Sequence, residues 1–198
     1  MLRVASFLFW QKGYQGTTMR GIAKAYGCKP SNIYNFFPNK EALLYNMLLD
    51  QMKRLISIVE PVAHDHKTTT VEQLRGLIRK HLAHTLNYKK SYKLLFDVGL
   101  DSLSPAKRRE IVSLRDEYDR ILQKIIERGV GRGEFRRINT KLCSFTIASM
   151  ITRTILWYSP KGRLSVRDIA DFILDFAVYG LRLPGEKGKG EKTIKELP

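Results

Sequence analysis

Apolar residues return along this chain every three or four positions, the spacing of a helix that buries one face. Val4, Phe7, Leu8 and Trp10 give a first short helix, ended by Gly13. Met19, Ile22, Ala23 and Tyr26 fall at i, i+3, i+4 and i+7 and predict a second. Thr17 or Thr18 caps its start, and Gly27 stops it in a left-handed conformation. Pro30 suits the first turn of a third helix, where no N–H is needed, and Pro38 ends it, because the residue before a proline avoids the helical region. Asn39 then caps a fourth helix, with Ala42, Leu43, Met47, Met52 and Leu55, that runs to about Val59 and stops at Pro61. Further helices are predicted over about 70–88, 92–101, 105–129, 139–158 and 165–182, punctuated by Pro105, Gly129, Gly131, Gly133, Pro160 and Gly162. No stretch shows the period of two of a half-buried strand. The expected fold is all-α, with about nine helices. From Pro184 on, PGEKGKGEKTIKELP has little to bury, so 184–198 is expected to be a disordered tail.

Residues 18–36 read as two short helices joined by a tight turn at Gly27-Cys28-Lys29, a helix-turn-helix whose second helix enters the DNA major groove. Such a helix must divide its faces. Ile33 and the Phe36/Phe37 pair are the apolar anchors to the body. Ser31, Asn32 and Asn35 are short hydrogen-bonding residues suited to base edges, and Asn can bond adenine bidentately. Tyr34 offers a hydroxyl to a phosphate. Lys40 adds a charge beside backbone N–H groups that also favour phosphate.

Charge sharpens this picture. The chain has 198 residues, 43% of them hydrophobic, enough for a core, and a net charge of +16 that favours a polyanionic partner. Residues 1–40 hold Arg3, Lys12, Arg20, Lys24, Lys29 and Lys40 and no acid. A second basic zone, 105–167, holds fifteen Lys or Arg against six Asp or Glu. Other chemistries find little support. Cys28 and Cys143 form no CxxC pair. His64, His66, His81 and His84 have no acid or Cys at matching spacing, so they read as solvated or pocket histidines and no metal is expected. GVGRG follows a helix rather than a strand and lacks the Lys-Ser/Thr of a phosphate loop. No Ser-His-Asp or paired-carboxylate arrangement stands out, so the chain is not expected to be an enzyme and needs no cofactor. No run approaches the roughly 20 apolar residues that cross a bilayer. MLRVASFLFWQKG lacks a cleavage site and reads as a helix of the mature protein. Asp168, Asp171 and Asp175 argue against membrane contact by the last helix, and a cytoplasmic location is expected.

The run GYQGTTMRGIAKAYGCKPSNIYNFFPNKEALL carries Gly16, Thr17, Thr18, Ile22, Ala23, Gly27, Tyr34, Phe37, Pro38, Lys40, Glu41 and Leu43 at the spacing G-(x)n-TT-x-x-x-IA-x-x-x-G, then x-x-Y-x-x-F-P-x-K-E-x-L. Residues 2–48 thereby resemble the DNA-binding domain of the TetR family of repressors. The resemblance implies that Thr18 and Arg20 touch DNA backbone or base edges. It places Lys29, Ser31, Asn32 and Asn35 on the reading helix, and has Tyr34 and Lys40 grip phosphate. Three departures stand out. Lys29 sits where a capping Ser or Thr is common; it cannot cap, but it can reach phosphate. Gly21 replaces a better helix former, at about 1 kcal/mol of helix stability. The basic arm that often precedes the first helix is not in this sequence, so either the chain starts further upstream or it works without the arm.

The resemblance further implies domains over 1–48 (DNA binding) and 49–183 (ligand binding and dimerisation). LSPAKRREIVSLRDEYDRILQKIIERGVGRGEFR and TILWYSPKGRLSVRDIADFILDFAVYGL resemble the branch of repressors of fatty-acid and steroid catabolism that respond to acyl-CoA thioesters. Arg153 and Trp157, at i, i+4, share a face. They are either a clamp for a phosphate or carbonyl beside an adenine or acyl chain, or a paired arginine and a core tryptophan. Tyr88, Tyr92, Phe96, Tyr118 and Met150 line an apolar cavity or belong to plain core. The second basic zone suits the phosphates of CoA, or favours the DNA field. The last two helices are apolar on more than one face and so need two partners. By resemblance they form a four-helix bundle with their copies, through Phe145, Ile151, Ile155, Ile169, Phe172, Ile173 and Phe176, and the homodimer meets a palindromic operator in double-stranded DNA. The expected function is a repressor released by a small hydrophobic or CoA-linked effector. Alternatives are a repressor of an efflux gene sensing unrelated lipophilic compounds, or a nonspecific basic DNA-binding protein. Asn32 and Asn35 speak against the last, because coating needs lysines rather than amides.

Overall fold

Side-chain caps fix several helix starts of this chain, whose structure, a computed structural model, describes residues 1–65, 67–88 and 100–181. Most of the predicted helix 92–101, with Tyr92 and Phe96, lies outside the described residues, as do His66 and the tail from 184. The described residues form eight α-helices and no strand. They are α1 (Leu2–Lys12), α2 (Met19–Tyr26), α3 (Pro30–Tyr34), α4 (Lys40–Ala63), α5 (Thr70–Asn87), α6 (Pro105–Gly131), α7 (Thr140–Trp157) and α8 (Val166–Leu181). Thr18 accepts from Gly21 N–H at 3.0 Å and Asn39 from Ala42 N–H at 2.7 Å. Asn139 caps α7 from Leu142 N–H at 3.0 Å. Thr69 and Glu72 close a reciprocal capping box on α5. The other candidate cap, Thr17, is buried and donates to the carbonyls of Leu8 and Gly13 at 3.2 and 2.8 Å, tying down the turn after α1.

Three boundaries differ from expectation. α3 stops at Tyr34 rather than running to Phe37, because Phe36 N–H and Phe37 N–H both turn back to the Ile33 carbonyl at 3.0 and 2.9 Å. Pro61 lies inside α4 instead of ending it. In the final turn a proline forfeits only one ladder bond, and His64 N–H still reaches Glu60 O at 3.2 Å. α6 runs through Gly129 to Gly131, so the expected glycine turn begins later. The chain reverses at Gly133, whose φ of 72° is left-handed. The buried Phe135 ring then folds back onto Gly129, whose carbonyl accepts from Glu134 and Phe135 N–H at 2.9 and 3.1 Å.

Helix α5 is the centre of the larger bundle, packed against α4, α6, α7 and α8. Leu74, Leu77, Ile78 and Leu82 on α5 meet Val59 of α4 and Ile125 and Ile126 of α6 in one apolar cluster. The same helix also buries polar side chains: Thr70, Gln73, His81, His84 and Thr85. A second cluster joins α1–α3 and the first half of α4 through Phe9, Ile22, Ile33, Leu43 and Leu44. Leu100, Leu103 and Ile111, from before and within α6, complete it.

A Cβ at Gly129 would lie 2.2 Å from the Phe135 ring. Gly129→Ala should therefore overpack this site and lower stability by about 1–3 kcal/mol. A urea unfolding midpoint that does not fall would contradict the close packing.

Candidate nucleic-acid interface and effector cavity

The two short helices α2 and α3 meet at a turn that only a residue without a Cβ makes easily. Gly27 takes φ 79° and ψ 31°, and its N–H bonds back to Ala23 and Lys24. Helix α3 is then held from beneath by Ile33, which is fully buried. Ser31, Asn32, Tyr34 and Asn35 are exposed together with Thr18, Arg20 and Lys29. Lys29 occupies the α3 N-cap without a side-chain cap bond. The structure thus gathers donors and acceptors suited to base edges and phosphate on one small head.

One predicted anchor of this head, and one residue of the predicted apolar face of α2, face outward. Phe36 is 71% exposed and Tyr26 is 47% exposed, while Phe37 packs against the head core. Because α3 ends at Tyr34, the two phenylalanines leave on opposite sides. Lys40 has a partner within the chain. Its ammonium is committed to the Tyr14 carbonyl at 2.7 Å and lies 4.3 Å above the Tyr14 ring, where burial pushes its pKa down. That contact ties the start of α4 to the turn before α2, using one of the three donors of the ammonium.

The head is fastened to the larger bundle by polar contacts that the sequence pattern did not reveal. Ser104 N–H donates to the Glu41 carboxylate at 2.8 Å, and Lys107 pairs with the same group at 3.3 Å. The Ser104 N–H, with Lys107, holds the Glu41 carboxyl below the usual carboxylate range. Its folded pKa is depressed, so this stabilisation is present above the unfolded value and is lost as pH falls through the folded one. One turn along, the Tyr45 hydroxyl donates to Glu110.

A cavity of about 390 Å³ opens between α4, α5, α6 and α7. Met52, Leu55 and Ala148 give it apolar walls. Tyr118 and His81, joined by a 2.6 Å hydrogen bond, add polarity, and Arg115 and Asp119 also line it. Burial, with a smaller effect from His84, pushes the His81 pKa down to about 3, so the imidazole is neutral. Burial likewise raises the Asp119 carboxyl and lowers the Arg115 guanidinium.

Of the expected ligand residues, Tyr118 lines this cavity. Tyr88 caps the end of α5, with its ring 4.8 Å from that of His84. Met150 lines a different cavity, of about 350 Å³, beside Leu142 and Phe176. Arg153 is exposed and Trp157 is 56% exposed on the outer side of α7, so they do not clamp anything in the main cavity. His81 and Arg115 were missed. Arg115 was legible as the first residue of R-x-x-Y, while His81 was read only within a group of four solvated or pocket histidines. Among the described residues no group of three His, Cys, Asp or Glu could hold a metal.

The expected dimer residues also divide. Ile151, Ile155, Ile169 and Ile173 are buried within this chain's own bundle. They cannot meet a second copy without unpacking it. Phe172 and Phe176 are exposed, joined by Leu142, Leu156, Trp157 and Tyr179 on the outer faces of α7 and α8, whereas Phe145 is exposed but lines the cavity of about 390 Å³. Among the described residues no helix is long and apolar enough to cross a membrane.

Known proteins agree with this architecture. Residues 1–47 match the family "Bacterial regulatory proteins, tetR family", and residues 67–181 match "Tetracyclin repressor-like, C-terminal domain". The HTH-type transcriptional repressor KstR2 of Mycolicibacterium smegmatis is 24% identical over 183 residues, 91% of this chain and 88% of that protein. The TetR-family regulator PfmR from Thermus thermophilus superposes with a TM-score of 0.84 at 29% identity, covering 92% and 98% of the two chains. AibR, solved with isovaleryl coenzyme A and operator DNA, gives 0.79 at 24% identity, over 88% and 94%. The chain belongs to the TetR family and is a DNA-binding transcriptional repressor of that type, not an enzyme.

Asn32→Ala should relax base preference at one operator position, by about 1–3 kcal/mol of discrimination in a binding-site selection. Lys40→Met should lower the melting temperature and leave the salt slope of DNA binding unchanged. A slope reduced by about one, with unchanged melting, would return Lys40 to a phosphate.

Proposed function

We propose that this chain is a homodimeric repressor that leaves a palindromic operator when an acyl-CoA-type effector fills the cavity between α4, α5, α6 and α7. The cavity carries this reading, because one of its walls is also the first helix of the junction. α4 contributes Met52 and Leu55 to the cavity and begins in the head, where Glu41 and Tyr45 contact α6. An occupant that spreads α4 from α6 strains that junction and moves α3 with it. The effector must bind the DNA-incompetent arrangement more tightly, since equal affinity shifts nothing.

The apolar walls suit an acyl chain. Arg115, Arg120, Lys124 and Arg128 along α6 offer charge to the phosphates of coenzyme A. The isovaleryl coenzyme A named for AibR supports the same class. DNA binding through Thr18, Arg20, Lys29, Ser31, Asn32, Tyr34 and Asn35 is consistent with their common exposure. A cytoplasmic location follows from this reading.

Dimerisation is assigned to the outer faces of α7 and α8. Phe172 and Phe176 stack at 6.5 Å and are 65% and 60% exposed, in a stretch that also exposes Trp157 and Tyr179. A contiguous apolar patch of this kind marks an interface. Replacing both Phe172 and Phe176 by Glu should give a monomer in light scattering. Operator affinity should then fall by about 10²–10⁴-fold, because the second half-site no longer binds intramolecularly.

The effector role is tested by titrating octanoyl-CoA into the protein–operator complex, against free octanoate and a CoA-free lipophile. The expected result is release by the thioester alone, with a coupling of about 5–150-fold. Release by the lipophile alone would favour an efflux-type sensor. Glu41→Ala should shrink the coupling while leaving effector affinity unchanged.

A further inference from the structure

Among the described residues, the helices α4 and α5 that border this cavity carry buried polar atoms without hydrogen-bond partners. His81 is 1% exposed and lines the cavity, and its Nε2 has no hydrogen-bond partner among the described residues. One turn further along α5, Thr85 Oγ1 is buried without a partner. On the facing helix α4, beside the cavity residue Met52, Gln51 Oε1 is too. Buried polar atoms are nearly always paired in folded proteins, so an unpaired set beside an open cavity calls for an explanation.

The chemistry of the missing partner follows from the other ring nitrogen. The bond between His81 Nδ1 and the Tyr118 hydroxyl is 2.6 Å. That length suits a phenol O–H donor, and in the proposed tautomer Tyr118 donates and Nδ1 accepts. A neutral imidazole carries one proton, which then sits on Nε2. Nε2–H is a buried donor with nothing among the described residues to accept from it. An uncharged carbonyl oxygen accepts such a bond at far lower desolvation cost than an anion.

We propose that the His81 Nε2–H, oriented by Tyr118, binds the carbonyl oxygen of the effector's acyl group. This rests on the acyl-CoA reading and adds to it a basis for choosing the thioester over other lipophiles. A site built to hydrogen-bond a group strongly rejects the analogue that lacks it, because its own polar atom is left unpaired. Tyr118 is a positioning residue here, acting through the tautomer of His81.

The test compares octanoyl-CoA with S-octyl-CoA, the thioether without the acyl carbonyl, by calorimetry on the full-length protein. The wild type should bind the thioester at least tenfold more tightly. In His81→Phe both compounds should bind with the affinity of the thioether. Tyr118→Phe, which frees Nδ1 to take the proton, should lose part of the preference and keep thioether affinity. Equal wild-type binding of the two compounds would overturn the role of His81 and leave the acyl-CoA reading standing. A His81→Phe protein that keeps the full preference would do the same. Should His81→Phe not fold, the wild-type comparison and Tyr118→Phe decide. If neither compound binds the wild type, the acyl-CoA reading falls, and this proposal falls with it.

Discussion

The DNA-reading head does not close its own core. Ile22, Ala23 and Ile33 sit under α2 and α3, and the cluster that buries them reaches Leu100, Leu103 and Ile111 of the larger bundle. A segment of fewer than fifty residues buries too small a share of its surface to be more than marginally stable alone. Three apolar side chains from α6 and the turn before it supply what is missing. The position of α6 is thereby a condition of the head's stability as well as of its orientation.

That constraint explains why the polar contacts collect where they do. Glu41, Ser104, Lys107, Tyr45 and Glu110 ring the place where α6 enters the head core. Such pairs are worth little in water, but at the edge of an apolar contact they set its register. Lys40 serves the same end from the other side by bonding the Tyr14 carbonyl. Farther along, α4 and α6 part to form the walls of the cavity, with α5 behind them. Among the described residues α5 packs against the other four long helices, and it carries most of the buried polar atoms that an entirely apolar core would not tolerate. In the proposed reading, the same pair of helices reports occupancy at one end and holds the reading head at the other.

Much of this was legible because it is local. Thr18, Gly27 and Asn39 each act within one turn of their position, so composition and spacing predict their roles. The helix-turn-helix and its exposed Ser31, Asn32 and Asn35 follow from the same short range. What periodicity cannot say is what covers an apolar face. Ile151 and Ile173 have the same spacing signature as Phe172 and Phe176, yet the first pair packs inside the chain and the second faces out. Arg153 and Trp157 do share a face, but it points away from the cavity. The bond from Lys40 to the Tyr14 carbonyl could not be foreseen, because its partner is a backbone group that no side-chain pattern encodes. His81 was hidden for a related reason: its meaning lies in Tyr118, thirty-seven positions away.

The dependence of the head on α6 is tested most directly by native-state hydrogen exchange on Ile111→Ala. The side chain is fully buried, and truncating it should cost about 2–5 kcal/mol. If the head borrows its core from α6, the amides of Ile22, Ala23 and Ile33 lose protection together with those around position 111, although the substitution lies outside the head. Loss of protection confined to α6, with α2 and α3 exchanging as in the wild type, would contradict it.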